Sequence, residues 1–173
     1  MTLDPATTTR QALDFDALYR DARDDVNAYV VTLLHDRSAA EDVTAQAFER
    51  AFRKARSFDA RRGGERAWLF GIARNAALDE LRRRKRTAAL VADPEDAGSP
   101  STDDAAERTL ERAAVRAALA GLGARDREVI ALKFHAGLDN AELAAVLGVS
   151  PSNAGTLLHR AMNKLREAVD DRA

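Results

Sequence analysis

Between Phe15 and Leu34 the apolar residues Leu18, Ala22, Val26, Tyr29, Val30 and Leu33 recur every three or four positions, the stripe of an amphipathic helix. A second helix is predicted to start near Ser38, with Ser38 as N-cap and Glu41 three residues on to complete a capping box, and to run to about Arg56. The stretch Phe58 to Gly64 breaks the period, and the Gly63-Gly64 pair reads as a loop. A third helix follows from Glu65 to about Arg86. At 100° per residue, Trp68, Asn75, Asp79, Arg82 and Arg86 fall near one line of it, Leu69, Ile72, Ala73 and Ala76 form one apolar face, and Phe70, Ala77 and Leu81 form another. This helix is expected to be buried on two sides and polar on one narrow strip.

The pattern changes after Arg86. Asp93-Pro94-Glu95-Asp96 and Gly98-Ser99-Pro100-Ser101-Thr102-Asp103-Asp104 are acidic and turn-rich with little to bury, which reads as a flexible acidic linker over 87–106. Four helical segments are predicted beyond it, at about 107–121, 125–135, 139–147 and 150–169. The expected fold class is all-α: two small helical domains, 14–86 and 107–173, joined by that linker, with 1–13 as a disordered N-terminal tail.

Composition supports helices, because the apolar 46% is mostly alanine and leucine and only 5% of residues are aromatic. The formal net charge of −1 makes the whole chain no attractor of nucleic acid, so any such role must rest on where charge is placed. Five cations in a row, Arg82 to Arg86, stand against the acidic linker. There is no cysteine, hence no disulfide framework, thiolate metal site or cysteine nucleophile. His35, His135 and His159 belong to no metal-ligand or triad motif, so no catalytic residue, metal site or cofactor is expected. No stretch approaches the roughly 20 apolar residues that cross a bilayer, and the chain is expected to be cytoplasmic with no membrane insertion.

Two constellations point to DNA. In Asn140 to Ser150, Ala144 is small where helices cross, Gly148 suits a left-handed turn, and Leu143, Leu147 and Val149 supply a core, while Ser150 can cap the next helix with Pro151 in its first turn. That is the pattern of a helix-turn-helix, whose second helix enters the major groove. Its candidate contacts are Ser150, Ser152, Asn153, Thr156, His159, Arg160, Lys164 and Arg166. An alanine-rich hairpin with no DNA role has the same outline. On the third helix, a strip that joins Trp68 to Asn75 and arginines suits an unpaired strand: the ring stacks on a base, the amide reads a base edge and the arginines hold phosphates. For an isolated Trp, packing in the core is the competing reading.

Ala40-Glu41-Asp42-Val43 through Phe48-Glu49-Arg50-Ala51-Phe52, Arg66 through Asn75, Ala77 through Arg84, Asp126-Arg127-Glu128-Val129-Ile130, Gly148-Val149-Ser150, and Leu158 through Arg166 together resemble the extracytoplasmic-function sigma factors of the sigma-70 family. The resemblance covers about 15–86 and 115–169, in order. It implies that Asp42, Gln46, Phe48, Glu49, Phe52 and Arg53 bind core RNA polymerase, at the clamp of its largest subunit, with a further contact to the flap. It implies that Arg61, Arg62, Trp68, Arg74, Asn75, Asp79, Arg82, Arg83 and Arg86 bind the minus-ten element and capture a flipped base. The second domain is implied to read the minus-thirty-five duplex, the linker to thread the enzyme's RNA path, and an anti-sigma factor to hold the protein inactive.

The sequence departs from the family at several points. Ala45 stands where Gln is usual, Gln46 where an acid is usual, and Gly155, Leu157, Met162 and Asn163 where charge is common. An interior glycine costs a helix about 1 kcal/mol relative to alanine, and fewer cations mean a shallower salt dependence. Weaker or less usual minus-thirty-five recognition is therefore expected. A free-standing helix-turn-helix regulator remains the alternative reading.

Overall fold

A computed structural model describes residues 13–90 and 108–171. Residues 1–12 of the tail assigned to 1–13, and most of the linker assigned to 87–106, lie outside those residues, whereas Leu13 packs against the core. The described elements are all helical: α1 (Phe15–Leu34), α2 (Arg37–Lys54), two single 3-10 turns (Ala55–Ser57 and Ala60–Arg62), α3 (Glu65–Leu90), α4 (Arg108–Gly121), α5 (Ala124–Ala136), α6 (Asn140–Leu147) and α7 (Pro151–Asp170).

α1 forms where its stripe predicts, with Leu18, Ala22, Val26, Tyr29 and Val30 buried, but its last buried residue is Leu34 while the predicted Leu33 is half-buried. Asp14 caps it, accepting a hydrogen bond from the Ala17 N–H at 3.0 Å. Two residues then turn the chain. His35 takes a left-handed backbone with φ 53°, and Asp36 accepts from the Ala39 N–H at 3.0 Å to cap α2. The cap is thus Asp36 and not Ser38, and α2 begins at Arg37. An aspartate two residues past the end of α1 meets the first free N–H groups of α2 sooner than Ser38, so no capping box forms around Ser38 and Glu41.

Half of the buried face of α2 is alanine (Ala40, Ala47, Ala51), beside Val43, Thr44 and Phe48, which lets α1 and α3 approach it closely. α3 runs four residues past the predicted end at Arg86, to Leu90. Residues 87–90 are exposed, so local helix propagation extends it there rather than packing. Of the two predicted apolar faces, Leu69, Phe70, Ala73, Ala76 and Ala77 are buried while Ile72 and Leu81 are half-buried, and Ala67 is buried beside them. One side meets α1 and α2, and the other meets α5 and α6.

The two helical groups of the sequence therefore share one core. A single buried cluster runs from Leu18, Tyr29 and Phe70 through Val129, Leu132 and Leu138 to Leu143 and Ala154. A smaller one, Leu122, Ile130 and Ala161, binds α5 to α7. Because Asp36 makes the cap, Asp36→Ala is expected to lower the thermal midpoint by a few degrees while Ser38→Ala leaves it in place; equal midpoints for the two variants in circular-dichroism melts would contradict the assignment.

Candidate nucleic-acid interface

Local sequence builds the exposed strip of α3. Asn75, Asp79, Arg82 and Arg86 are solvent-exposed, the register predicted from 100° per residue. Asp79 is steadied by Arg50 of α2 at 3.1 Å and by Arg82 at 3.2 Å. Trp68 sits between the two readings given to it: it is half-buried against the core, and its ring meets Phe58 with centroids 5.4 Å apart.

The five cations are not equivalent. Glu80 accepts from Arg83 through both of its oxygens, at 2.7 Å each, and from Arg84 at 2.9 Å. Arg84 also reaches Asp36 at 3.0 Å, so it braces α3 against the start of α2. These arginine hydrogen bonds hold the Glu80 carboxyl at about 2, against an ordinary 4.5. Among the described residues Lys85 and Arg86 make no ion pair and face solvent.

In the loop before α3, Asp59 caps the turn Ala60–Arg62 and holds the Arg61 guanidinium at 3.0 and 3.1 Å. Arg62 is exposed. Gly63 follows with φ 147°, a backbone that a side chain disfavours.

The helix-turn-helix takes the expected form. Asp139 and Glu142 make a reciprocal capping box at the start of α6, which was not foreseen although its Asp-x-x-Glu spacing was in the sequence. Gly148 adopts φ 69°, Ser150 accepts from the Asn153 N–H at 3.2 Å, and Pro151 occupies the first turn of α7. Ser150, Ser152, Asn153, Thr156, His159, Arg160 and Arg166 are exposed. Lys164 is also exposed, and its ammonium donates to Asp126 of α5. Gly155 faces Asn140, where an added Cβ would lie 3.4 Å from the amide nitrogen. Leu157 packs against the main core.

On α2, Asp42, Gln46, Glu49 and Arg53 form an exposed row, with Glu49 and Arg53 paired at 2.6 Å. Phe52 is 66% exposed and its ring meets Phe15 edge-on at 5.2 Å. Phe48 is buried, between Tyr19 and Phe15, and so supports this surface from beneath.

Arg74 stands apart. Its side chain is 20% exposed and donates to Glu128 of α5 at 2.6 Å; Glu128 is 10% exposed. The Tyr29 hydroxyl donates to the same carboxylate oxygen at 3.2 Å, and burial together with the Glu128 charge raises the Tyr29 pKa well above its ordinary value. Beside this group Arg66 donates to the His135 and Ala136 carbonyls, each at 3.0 Å, and to Asp25 at 2.8 Å. Arg127 reaches the Leu122 carbonyl at 2.7 Å and the ring of His35. Sequence reasoning missed all of this, since no local period marks a contact 54 residues apart in the chain.

The family profiles described as Sigma-70 region 2 and Sigma-70, region 4 match residues 18–87 and 112–165. The chain is 34% identical over 140 residues to the ECF RNA polymerase sigma factor SigL of Mycobacterium tuberculosis, spanning 80% of this chain and 78% of that one. To the ECF RNA polymerase sigma factor BldN of Streptomyces coelicolor it is 32% identical over 162 residues, spanning 92% and 61%. Among solved structures, the sigma factor RpoE from Bartonella quintana, in complex with the anti-sigma factor NepR, is similar with a TM-score of 0.79 at 27% identity, covering 91% of this chain and 97% of that one. CnrH in complex with the cytosolic domain of CnrY is similar with a TM-score of 0.65 at 27% identity, covering 92% and 89%.

Because the folded Glu80 pKa lies below its ordinary value, the stability it lends is full above about pH 4.5 and fades as the pH falls toward 2. Glu80→Gln is expected to lose stability at pH 6 and to show a flatter decline below pH 4.5 than the wild type. Urea unfolding across that range checks it, and parallel slopes for the two proteins would count against the Glu80 clasp.

Proposed function

The chain belongs to the sigma-70 family as an extracytoplasmic-function (ECF) sigma factor, and from that membership we propose how its surfaces divide the work. It is a promoter-specificity subunit that binds RNA polymerase, and its partners are core polymerase, promoter DNA and an anti-sigma factor. The two solved relatives described above were captured with NepR and CnrY. A free-standing regulator accounts for α6 and α7 but leaves the match over 18–87 without a purpose.

In the proposed division, residues 14–86 with the extra turn to Leu90 form the polymerase-binding and minus-ten unit. Residues 107–173 form the minus-thirty-five reader, and the intervening segment tethers them. The exposed row Asp42, Gln46, Glu49 and Arg53 with Phe52 meets the clamp. An exposed aromatic beside polar residues is the usual composition of an anchoring contact. The strip Asn75 to Arg86, with the loop around Arg61 and Arg62, holds the melted strand, and Trp68 offers the ring edge that its half-burial leaves open. Strand opening is then driven by binding an extruded base and its phosphates, with no bond made or broken. The protein works in the cytoplasm beside its polymerase; none of the described helices is long and apolar enough to cross a membrane.

The observation that carries this division is the separation of the two exposed faces: Phe52 lies on α2 and Asn75 on α3. Phe52→Ala is expected to weaken core-polymerase binding at least about tenfold. Asn75→Ala is expected to leave that affinity within about twofold and to cut promoter opening about tenfold. In vitro transcription with core enzyme on a genomic DNA pool, with start-site mapping, permanganate footprinting and a pull-down, measures these. A chain that neither joins the polymerase nor favours a separated strand over a duplex would overturn the reading.

A further inference from the structure

We infer that the two halves of this chain close on each other in a self-masking state latched by Glu128, whose carboxylate occupies the Arg74 guanidinium that the melted strand would otherwise engage. The inference rests on the assignment of Arg74 and the loop before α3 to minus-ten DNA.

The latch is an anion site already filled. Glu128 projects from α5 into the other half of the molecule, where Arg74 of α3 and Tyr29 of α1 converge on one of its oxygens. A guanidinium and a hydroxyl aimed at one point form a receptor for a carboxylate or a phosphate. In the closed state the chain supplies the carboxylate itself. Around it, Arg66 ties α3 to the last carbonyls of α5, and Arg127 of α5 reaches back to His35 at the end of α1.

The closed state also brings the two DNA readers against each other. A Cβ placed on Gly64, beside the minus-ten loop, would lie 2.7 Å from a carboxylate oxygen of Glu142 at the start of α6. That puts a negative charge from the helix-turn-helix where a phosphate would approach the loop. Elements centred near minus-ten and minus-thirty-five are separated by roughly 85 Å of duplex at 3.4 Å per base pair. Readers that touch cannot serve both. Opening must therefore come before or with promoter binding, and among the described residues Arg74–Glu128 is the ion pair that it breaks.

The chemistry suits a releasable catch. A buried ion pair fixes geometry while contributing little net stability, because desolvation offsets much of the attraction. On opening, Glu128 regains water and Arg74 becomes available to DNA.

The chain lacks cysteine, so spin labels can be placed at Arg56→Cys and Glu167→Cys, both exposed and one in each half. Pulsed electron-spin distance measurement on the free chain is expected to give one short distance for the wild type and a longer, broader distribution for Glu128→Gln. The apparent affinity of free Glu128→Gln for a non-template oligonucleotide, taken from a promoter mapped in the transcription assay, is expected to rise about fivefold or more as the competent fraction grows. Tyr29→Phe, which removes only a hydroxyl, is expected to shift both readouts less and in the same direction, and it serves if Glu128→Gln melts before it can be measured. Unchanged distances in these variants would overturn the latch. Longer distances with unchanged strand affinity would overturn the masking of Arg74. In both cases wild-type transcription with core polymerase would still stand, whereas its absence would remove the functional reading itself.

Discussion

A carboxylate held away from water has to be paired, and in this protein that requirement organises three helices. On α5, Glu128 meets both Arg74 and Tyr29 through one carboxylate oxygen. Satisfying it fixes the rotation of α5 against α1 and of α3 against both. The apolar residues of the shared core, Val129 and Leu132 of α5 with Val26 and Val30 of α1 and Phe70 of α3, pack without direction and would tolerate sliding. The ion pair and the hydroxyl do not, so the register of the halves follows from one polar group among many apolar ones.

α3 carries the opposite constraint. It is buried on two sides and must still present a chemically specific face to solvent. Alanines at 67, 73, 76 and 77 resolve the conflict, since small residues bring both neighbours close and leave the strip from Asn75 to Arg86 as a ridge. Glu80 then sorts the cations. Arg83 and Arg84 are clasped and stiffen the end of the helix, while Lys85 and Arg86 stay available. One run of like charges thus divides into clasped and exposed cations, and the sequence alone could not say which arginine was which.

The stripe of α1, the two-faced burial of α3 and the caps at Gly148 and Ser150 were legible because each is written within one or two helical turns. The cap of α2 was misplaced because Ser38 and Asp36 are both good caps, and the choice between them depends on how far α1 runs. The end of α3 was placed too early because its last turn has no apolar period to follow. Phe48 and Phe52, four residues apart, read alike, yet only one is exposed: the edge contacts from Tyr19 and Phe15 decide it. The Glu128 site was invisible for a deeper reason. Asp126-Arg127-Glu128 looks like an ordinary polar helix start, and only the approach of α1 and α3 turns one of these residues inward.

That approach also gives the departures in α7 a physical meaning. Leu157, at a position where the family resemblance leads one to expect a cation, packs against the core that both halves share. Gly155 lets α7 seat closely on Asn140 of α6. In an open molecule on duplex DNA, an apolar residue at 157 gives up a phosphate contact. In the closed molecule it adds apolar burial, which a lysine could match only by its stem. Both effects move the balance the same way. A reader with fewer phosphate contacts and a tighter seat needs more help to open, and the help available is whatever core polymerase and the minus-ten strand supply together. On the proposed latch, promoter selection leans on α3 and its loop more than on the helix-turn-helix, because the strand proposed to reach Arg74 is the one that competes directly with Glu128.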